Sequence, residues 1–322
     1  MPGAAHPPLL GVVHCLRSIS CNSHDIDLSL NRLPLCMHFA THPQSFPSLP
    51  SIEVEQWITS LRGGSRASRI RASDGRHYIL KLHSNPQGNT SLIAEYLATN
   101  LLAALQLPVP QLSWARISNP ALHAKINPHQ AFNPDQTHLA ISYPVNPEQQ
   151  TIHDFLPDPS WLLLANRECF WGALVADKWL ANLDCRQAVF VRRRALQSNS
   201  VQNLPCSDQA PGLHAILIDQ GLCFNGRSLD FKIAPTHGLY SSRIAYQGLS
   251  SVAQLQPWIK MAQSLSAACL EALIRTLPAD WLEGYLASKA LQLSEGLLLR
   301  AQQLPRILEL TLDCLATPQT LA

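Results

Sequence analysis

The chain has 322 residues, 46% of them hydrophobic and only 14% charged, which is the composition of a folded globular protein large enough to bury a full core. Its 24 basic and 22 acidic residues leave a net charge of +2. A protein whose main partner is nucleic acid needs a clear basic surplus to neutralise phosphates, so we expect no direct nucleic-acid partner.

Cysteine and histidine spacing gives no sign of a zinc site or a disulfide framework. The 9 cysteines are odd in number and include no CxxC pair, and the 13 histidines include no HExxH motif. Scattered free thiols are typical of a reducing compartment. No apolar run reaches the ~18 residues of a membrane span, and the N-terminus lacks the basic and apolar regions of a signal peptide. We therefore predict a cytoplasmic protein that does not associate with a membrane.

Residues 1–50 are rich in proline, serine and histidine and show no sustained periodicity. Such a segment cannot bury enough apolar surface to offset the entropy of ordering it. We predict a disordered leader or a mis-assigned start. In the second case Met37 is an alternative initiator and residues 1–36 are not translated.

Residues 51–146 combine strand patterns with one helix. The predicted strands are Val54–Ile58, His77–Leu82, Leu112–Ile117 and His138–Tyr143. Asp74-Gly75 predicts a hairpin turn before the second of them. Apolar residues recur at helical spacing from Leu92 to Leu105, and Pro108 ends this helix. We predict a small β-rich lobe with one main helix.

Residues 147–322 are predicted to be mainly helical. Helical periodicity covers Trp161–Leu180, and Asp158-Pro159 is predicted to supply its N-cap and its N1 proline. The later predicted elements are the strands Ala188–Val191 and Ala215–Ile218 and the helices Pro257–Leu277, Trp281–Lys289 and Ser294–Leu312. Together the two halves predict an α+β protein with two unlike lobes and a cleft between them.

Two acidic motifs lie where apolar segments end. Asp184 follows Asn182-Leu183 after the long helical pattern, and Asp219 closes an apolar strand 35 residues later, in Ile218-Asp219-Gln220-Gly221. This layout is typical of phosphoryl transfer, in which one acid orients the attacking hydroxyl and the other holds the metal that neutralises the phosphates. We predict these roles for Asp184 and Asp219 respectively.

Both acids also have ordinary explanations. Asp184 suits a turn at a helix end, and Asp-x-Gly is a common turn. A buried strand, however, seldom ends in an unpartnered carboxylate, because desolvating the charge is costly. A Mg²⁺ ion that also binds phosphates would satisfy Asp219.

A glycine-containing segment, Gly63-Gly64-Ser65, lies 16 residues before Lys81. Its backbone amides and the Ser65 hydroxyl can bind phosphate oxygens at close range, although a Gly-Gly pair is also a common simple turn. It matches neither the GxGxxG motif nor the GxxxxGK[ST] motif.

In their order and spacing these segments resemble the HipA-like kinases, a family with a bilobal protein-kinase-like fold. The segments that carry the resemblance are Gly63-Gly64-Ser65, Tyr78-Ile79-Leu80-Lys81, Glu95, Leu107-Pro108-Val109-Pro110, Asp177-x-Trp179-x-x-Asn182-x-Asp184 and Ile218-Asp219-Gln220-Gly221. The resemblance covers the chain from about Arg62 to Trp281. It implies that residues 51–146 form a kinase-like N-lobe and residues 147–322 a helical C-lobe.

The resemblance also implies roles and ligands. Lys81 is expected to contact nucleotide phosphates and to pair with Glu95, which lies 14 residues later on the next helix. ATP and Mg²⁺ are the expected cofactors, with the adenine near Tyr143–Pro147. The expected acceptor is a serine or threonine hydroxyl of a protein. Family members often act as toxins beside an antitoxin, so an antitoxin-like partner is expected by analogy.

The chain departs from the kinase pattern at one ligand position. Kinase catalytic loops carry an asparagine five residues after the catalytic aspartate, where it holds a second Mg²⁺. That position is Val189 here, and Gln187 is our candidate substitute ligand. Arg186 is expected either to stabilise phosphate charge or to pair with an acid. The departure favours, as an alternative, a nucleotide-binding pseudokinase. The C-terminal helices give no substrate signature, which also leaves open a small-molecule kinase of related fold.

Overall fold

The computed structural model describes residues 46–83, 85–193 and 211–316. The leader predicted for residues 1–50, including Met37, therefore lies outside the described residues except at 46–50. There, Phe46 and Leu49 are half-buried against the main hydrophobic core.

Five strands form a closed barrel in the N-terminal half. They are β1 (Ser51–Ser60), β2 (Ser68–Ala72), β3 (His77–Lys81), β4 (Leu112–Arg116) and β5 (His138–Ser142), in the order β1-β2-β3-β5-β4. The β1–β4 pair is parallel and the other pairs are antiparallel. The predicted hairpin at Asp74-Gly75 is confirmed: Gly75 has a φ of 75°, a backbone conformation that suits glycine, and joins β2 to β3.

Alternation along β3 divides its side chains between two clusters. Tyr78 and Leu80 belong to the smaller hydrophobic cluster of the barrel strands, whereas Ile79 packs against the main core. Lys81 therefore leaves the strand on the side of Ile79. The main core on that side includes Leu92, Leu97 and other residues of helix α1 (Asn89–Ala104).

A short helix, α2 (Pro120–Ile126), was missed by the sequence analysis. The Asn119 side chain accepts hydrogen bonds from the backbone amides of Ala121 and Leu122, and Pro120 occupies the first helical position. An Asn-Pro pair at a helix start is a recognisable signal, so this element was predictable in principle.

The single helix predicted over Trp161–Leu180 is confirmed over Cys169–Trp179, whereas its N-terminal part is wrong. The chain instead forms a 3₁₀ helix at Asp158–Leu163 and helix α3 at Cys169–Trp179. Between them, the Asn166 side chain donates to the Ala215 carbonyl at 2.9 Å and accepts from the Ala215 amide at 2.8 Å. These bonds hold the chain against a strand, which interrupts the helix. The predicted N-cap is also wrong: Pro157 occupies that position, and Asp158 is the first residue of the 3₁₀ helix.

The predicted strand pair is confirmed as an antiparallel hairpin of β6 (Gln187–Arg193) and β7 (Gly212–Ile218). One face carries Phe190 and Leu217 into the main core. On the other face, Val189 and Ile216 form a small cluster against which Val145 packs.

The C-terminal helices differ from the prediction in their breaks. Helices α4 (Gln256–Ser264) and α5 (Ala267–Arg275) replace the one predicted over Pro257–Leu277, because the Ser266 hydroxyl caps α5 by accepting from the Cys269 amide. The two helices predicted after Trp281 are one continuous helix, α6 (Leu286–Ala316), since the residues between them are good helix formers.

The α+β class is therefore confirmed. Within the described ranges, no helix combines the length and the apolar character that crossing a membrane requires.

Aromatic contacts join the barrel to the helical half. Trp281 packs edge-on against the ring of Trp114 in β4. Tyr96 of α1 stacks on the same Trp114 ring, at 4.8 Å between centroids. The Tyr96 hydroxyl lies 2.6 Å from the Thr276 hydroxyl, and the Trp281 indole donates to the Thr137 carbonyl at 2.8 Å. These contacts hold α1 in place between the barrel and the helical half.

The stability of the fold at acidic pH should depend on His138, a buried residue of β5. Its Nδ1 accepts the backbone amide of His83 at 3.0 Å. Burial, with His83 and His123 nearby, lowers the pKa of His138 to about 3. The unfolded chain then binds one more proton than the folded chain between this pKa and the ordinary value. We expect the free energy of unfolding to fall with decreasing pH in that window, by at most about 1.4 kcal/mol per pH unit.

Urea unfolding at several pH values between 7 and 4 tests this expectation. His138→Asn is the matched variant, because its amide oxygen can accept the same bond without titrating. The wild-type protein should lose more stability than the variant over this range, and equal slopes would contradict the assignment.

Candidate active site

Three charged residues that are distant in sequence meet at the end of β3. Lys81 Nζ donates to Glu95 Oε2 at 2.7 Å and to Asp219 Oδ1 at 2.9 Å. The Lys81 side chain is 8% exposed and that of Glu95 is 2% exposed, whereas that of Asp219 is 45% exposed. The lysine is thus buried between two carboxylates, of which Asp219 is open to solvent.

Local sequence explains how Asp219 reaches this position. It directly follows β7, and its φ of 57° lies in the left-handed region. A non-glycine residue there is uncommon and has to be held by its surroundings. Gly221 allows the following chain to pass close to α1: a Cβ at this residue would lie 3.3 Å from Glu95 Oε2 and 3.5 Å from the Ser91 carbonyl oxygen.

The ionisation of the group follows from these contacts. Burial alone would lower the pKa of Lys81, but the carboxylates of Glu95 and Asp219 raise it above its usual value. Burial acts to raise the pKa of Asp219, and the Lys81 ammonium outweighs this effect and holds the pKa below its ordinary value. Lys81 is therefore a fixed positive charge and Asp219 a fixed negative charge at neutral pH.

Gln187 connects Asp219 to the second predicted acid, Asp184. Its Nε2 donates to Asp184 Oδ2 at 3.2 Å, and its amide group lies near enough to Asp219 to help lower the pKa of that carboxyl. The hairpin register explains this placement, because Gln187 pairs with Ile218, the residue before Asp219. The other oxygen of Asp184 accepts the backbone amide of Cys185 at 2.8 Å. Asp184 and Asp219 thus share one amide neighbour.

The residues around Asp184 form a buried polar network. Asp177 of α3 accepts from Asn182 Nδ2 at 2.9 Å and forms an ion pair with Arg186. Asn182 in turn accepts the backbone amide of Asp184 at 3.2 Å. Arg186 pairs with an acid and is fully buried, so the alternative in which it stabilises a transferring phosphate is wrong.

Gly63, Gly64 and Ser65 lie in the β1–β2 connection. A Cβ at Gly64 would lie 2.8 Å from Gln87 Nε2, so the segment approaches the start of α1. Among the described residues, no hydrogen bond joins this turn to Lys81 or to either acid. The structure therefore brings Lys81, Glu95, Asp219, Asp184 and Gln187 into one connected group and leaves the glycine turn outside it.

The donor set fits one hard divalent cation that takes the rest of its ligands from outside the protein. The described ranges contain no group of three His, Cys, Asp or Glu side chains placed to hold a metal alone. Mg²⁺ commonly takes one or two carboxylates and completes its shell with phosphate oxygens and water. Asp219 offers an exposed carboxylate, and the Gln187 amide oxygen becomes available if the amide group turns over. Glu95 and Asp219 contact the Lys81 ammonium and Asp184 lies beyond Gln187, so the group formally carries a net charge of two negative units.

Val189, at the position of the second-metal asparagine, cannot supply a ligand. It is 7% exposed and packs with Ile216 and Val145. Position 189 therefore offers no ligand for a cation.

The predicted alternative in which Arg186 pairs with an acid is confirmed by Asp177, but the sequence analysis missed its other contacts. Arg186 contacts Ile218 and Gln220, on both sides of Asp219, as well as Asp177. The only signal in the sequence was an arginine two residues after Asp184, which did not predict these contacts.

Comparison with known proteins finds distant structural likenesses but no match in sequence. No profile of a known protein family matches the chain, and no curated protein matches it. The crystal structure of the Helicobacter pylori proinflammatory kinase CtkA has a TM-score of 0.42 at 14% identity, covering 83% of this chain and 99% of that chain. The Golgi casein kinase with Mn/ADP bound has a TM-score of 0.41 at 11% identity, covering 86% and 75%. A second structure of the Golgi casein kinase has a TM-score of 0.42 at 10% identity, covering 84% and 74%.

Proposed function

We propose that the protein is an ATP-dependent kinase with a bilobal, protein-kinase-like architecture, in which residues 51–146 are the N-lobe and residues 147–322 the C-lobe. The observation that carries the proposal is the position of Lys81 Nζ, 2.7 Å from Glu95 and 2.9 Å from Asp219. An ammonium held by a helix glutamate beside a half-exposed aspartate is suited to binding phosphates together with a cation.

Each residue of the group has one role in this proposal. Lys81 binds phosphate oxygens, and Glu95 keeps its ammonium in position. Asp219, assisted by Gln187, holds one Mg²⁺, whose chemistry is to neutralise charge on the phosphates. Asp184 accepts a hydrogen bond from the acceptor hydroxyl and orients its oxygen. Because an aspartate is a weak base, this orientation matters more than proton removal.

Two further segments complete the nucleotide site in the proposal. The turn at Gly63, Gly64 and Ser65 covers the phosphates after moving toward Lys81. The adenine lies near Tyr143–Pro147, where Val145 packs against Val189 and Ile216 and offers an apolar surface. Val189 thus serves as packing below the base in a mechanism with one metal ion.

A protein hydroxyl is the proposed acceptor. The order of the motifs supports a HipA-like serine/threonine kinase that works in the cytoplasm, with an antitoxin-like protein as a further partner. A nucleotide-binding pseudokinase is the second candidate, and Val189 favours it because a metal ligand is missing at that position.

Phosphoryl transfer from radiolabelled ATP tests the proposal. Wild-type protein is incubated with Mg²⁺ or Mn²⁺ alone, with protein extracts and with metabolite pools. We expect label on the protein itself or on an extract protein, and an Asp184→Asn variant should transfer about 100-fold more slowly. Asp154→Asn, which changes an exposed acid, is the control and should leave the rate unchanged.

The outcomes separate the candidates. Nucleotide binding without turnover in any mixture would establish the pseudokinase. Label confined to a metabolite would establish a small-molecule kinase. Transfer that is equal in the wild-type protein and the Asp184→Asn variant would remove Asp184 from the mechanism.

A further inference from the structure

Arg186 occupies an unusual position between the two acidic segments. Its side chain is 0% exposed, and it lies two residues after Asp184 and directly before Gln187. A buried guanidinium needs nearly all of its hydrogen bonds satisfied, so its partners report what it holds together.

Those partners come from two segments, helix α3 and the chain around Asp219. Arg186 Nε donates to Asp177 Oδ2 at 2.9 Å, and Nη2 donates to the other oxygen of the same carboxylate. Nη1 donates to the Ile218 carbonyl at 3.2 Å and to Gln220 Oε1. The first two bonds anchor the Asp184 segment to α3, and the last two reach both neighbours of Asp219. One planar group thus spans the two segments that carry the acids.

The environment of Gln220 is independent support for the view that the contact between Gln220 and Arg186 serves the geometry of the two acidic segments and not stability. Its Nε2 is buried and has no hydrogen-bond partner among the described residues. An unsatisfied buried amide group is destabilising, so a smaller or apolar residue at position 220 would give a more stable protein. The contact of its oxygen with Arg186 is the feature that an apolar residue would lose.

The ion pair is likewise a poor choice for stability alone. Buried ion pairs are often no more stable than apolar residues of the same volume. A lysine would keep the charge but not the planar set of donors that reaches an acid, a carbonyl and an amide together.

We propose that Arg186 is a positioning residue for phosphoryl transfer: it fixes the Asp184 segment and the Asp219 segment relative to each other. The proposal rests on the proposed kinase function. Arg186 does not touch the nucleotide or the acceptor, and it acts through the backbone of Ile218 and the side chain of Gln220. Its loss should therefore lower kcat more than it weakens substrate binding.

Three variants and one control test this role. Arg186→Met removes the bonds, and Arg186→Lys keeps the charge without the planar donor set. Asp177→Asn/Arg186→Met removes both charges, so that no unpaired acid remains buried. Arg300→Met is the matched control: Arg300 donates to the carbonyls of Lys178 and Phe231 and hydrogen-bonds neither acidic segment.

We expect kcat to fall by about 30-fold or more in Arg186→Met, with the KM values for ATP and acceptor changed by less than about threefold, as for a group that acts in the transition state alone. Arg186→Lys should recover part of kcat. The double variant should regain stability but not kcat. The proposal is overturned if kcat returns with stability in the double variant, or if Arg300→Met lowers kcat equally.

Hydrogen exchange separates failure of this proposal from failure of the kinase function. In Arg186→Met the backbone amides of residues 184–187 and of residues 219–221 should both exchange faster than in wild type. If wild-type protein transfers no phosphate, the kinase function fails, and the exchange result alone decides the role of Arg186. Faster exchange in only one of the two segments, or in neither, overturns it.

Discussion

Replacing Asp219 with asparagine should reduce phosphoryl transfer by about 1000-fold or more, because the metal interaction with the phosphates contributes several kcal/mol to the transition state. The substitution is close to ideal for this purpose. Asparagine has the same shape, its oxygen can still accept from Lys81 Nζ, and it tolerates the left-handed φ of 57° found at this residue. The substitution therefore removes mainly the negative charge that would hold the cation.

Stability should change little in Asp219→Asn. The Asp219 side chain is 45% exposed, and the pair between Lys81 and Glu95 remains intact. Thermal unfolding and circular dichroism should therefore match the wild-type protein. Binding of a Mg²⁺ nucleotide, measured by calorimetry, should weaken, while binding without the cation should change much less.

Asp230→Asn is the matched control for this prediction. Asp230 lies on the same stretch of chain and accepts from Asn225 Nδ2 and from the Lys232 amide. Its replacement should alter transfer by less than about twofold, as expected for a residue outside the site. Transfer by Asp219→Asn within tenfold of wild type would remove Asp219 as the metal ligand.

The elements that could be predicted from the sequence are those set by local pattern. Local pattern was sufficient to predict strand β3, the turn at Gly75 and helix α1, because each depends on neighbours within a few residues. The predicted contact between Lys81 and Glu95 belongs with them, since the strand and the following helix are joined by a short connection.

The predictions that were wrong depended on long-range contacts or on unrecognised caps. Nothing near Asn166 in sequence indicates that its side chain will bond to Ala215 and interrupt a helix. The cap at Ser266 was visible, but helical periodicity on both sides of it outweighed the signal. Tertiary hydrogen bonds therefore decided where apolar periodicity ended.

The residues of the candidate site also fall into two classes, those that local sequence predicts and those that depend on long-range contacts. Asp184 and Asp219 could be found because each follows an apolar segment that ends abruptly. Arg186 could not be assigned, because its role depends on Asp177, Ile218 and Gln220 meeting at one guanidinium. The acids are thus readable from the sequence, whereas the group that holds their segments together requires the fold.

Replacing Lys81 with methionine should also lower transfer by about 1000-fold, since it removes the positive charge that faces the phosphates. The variant has a second effect. Glu95, with a side chain only 2% exposed, loses its partner, and breaking a buried ion pair destabilises a protein by about 3–5 kcal/mol. Activity loss in Lys81→Met alone therefore cannot distinguish a phosphate contact from partial unfolding.

The double variant Lys81→Met/Glu95→Met makes that distinction. Replacing a buried ion pair by apolar residues of similar volume is often neutral, so urea unfolding should show most of the lost stability restored. Phosphoryl transfer should stay at the level of Lys81→Met, because the folded site still has no ammonium for the phosphates. Lys260→Met, on the exposed side of α4, controls for the loss of a lysine elsewhere. If transfer recovers together with stability in the double variant, Lys81 serves the fold, and the phosphate contact has to be assigned to another group.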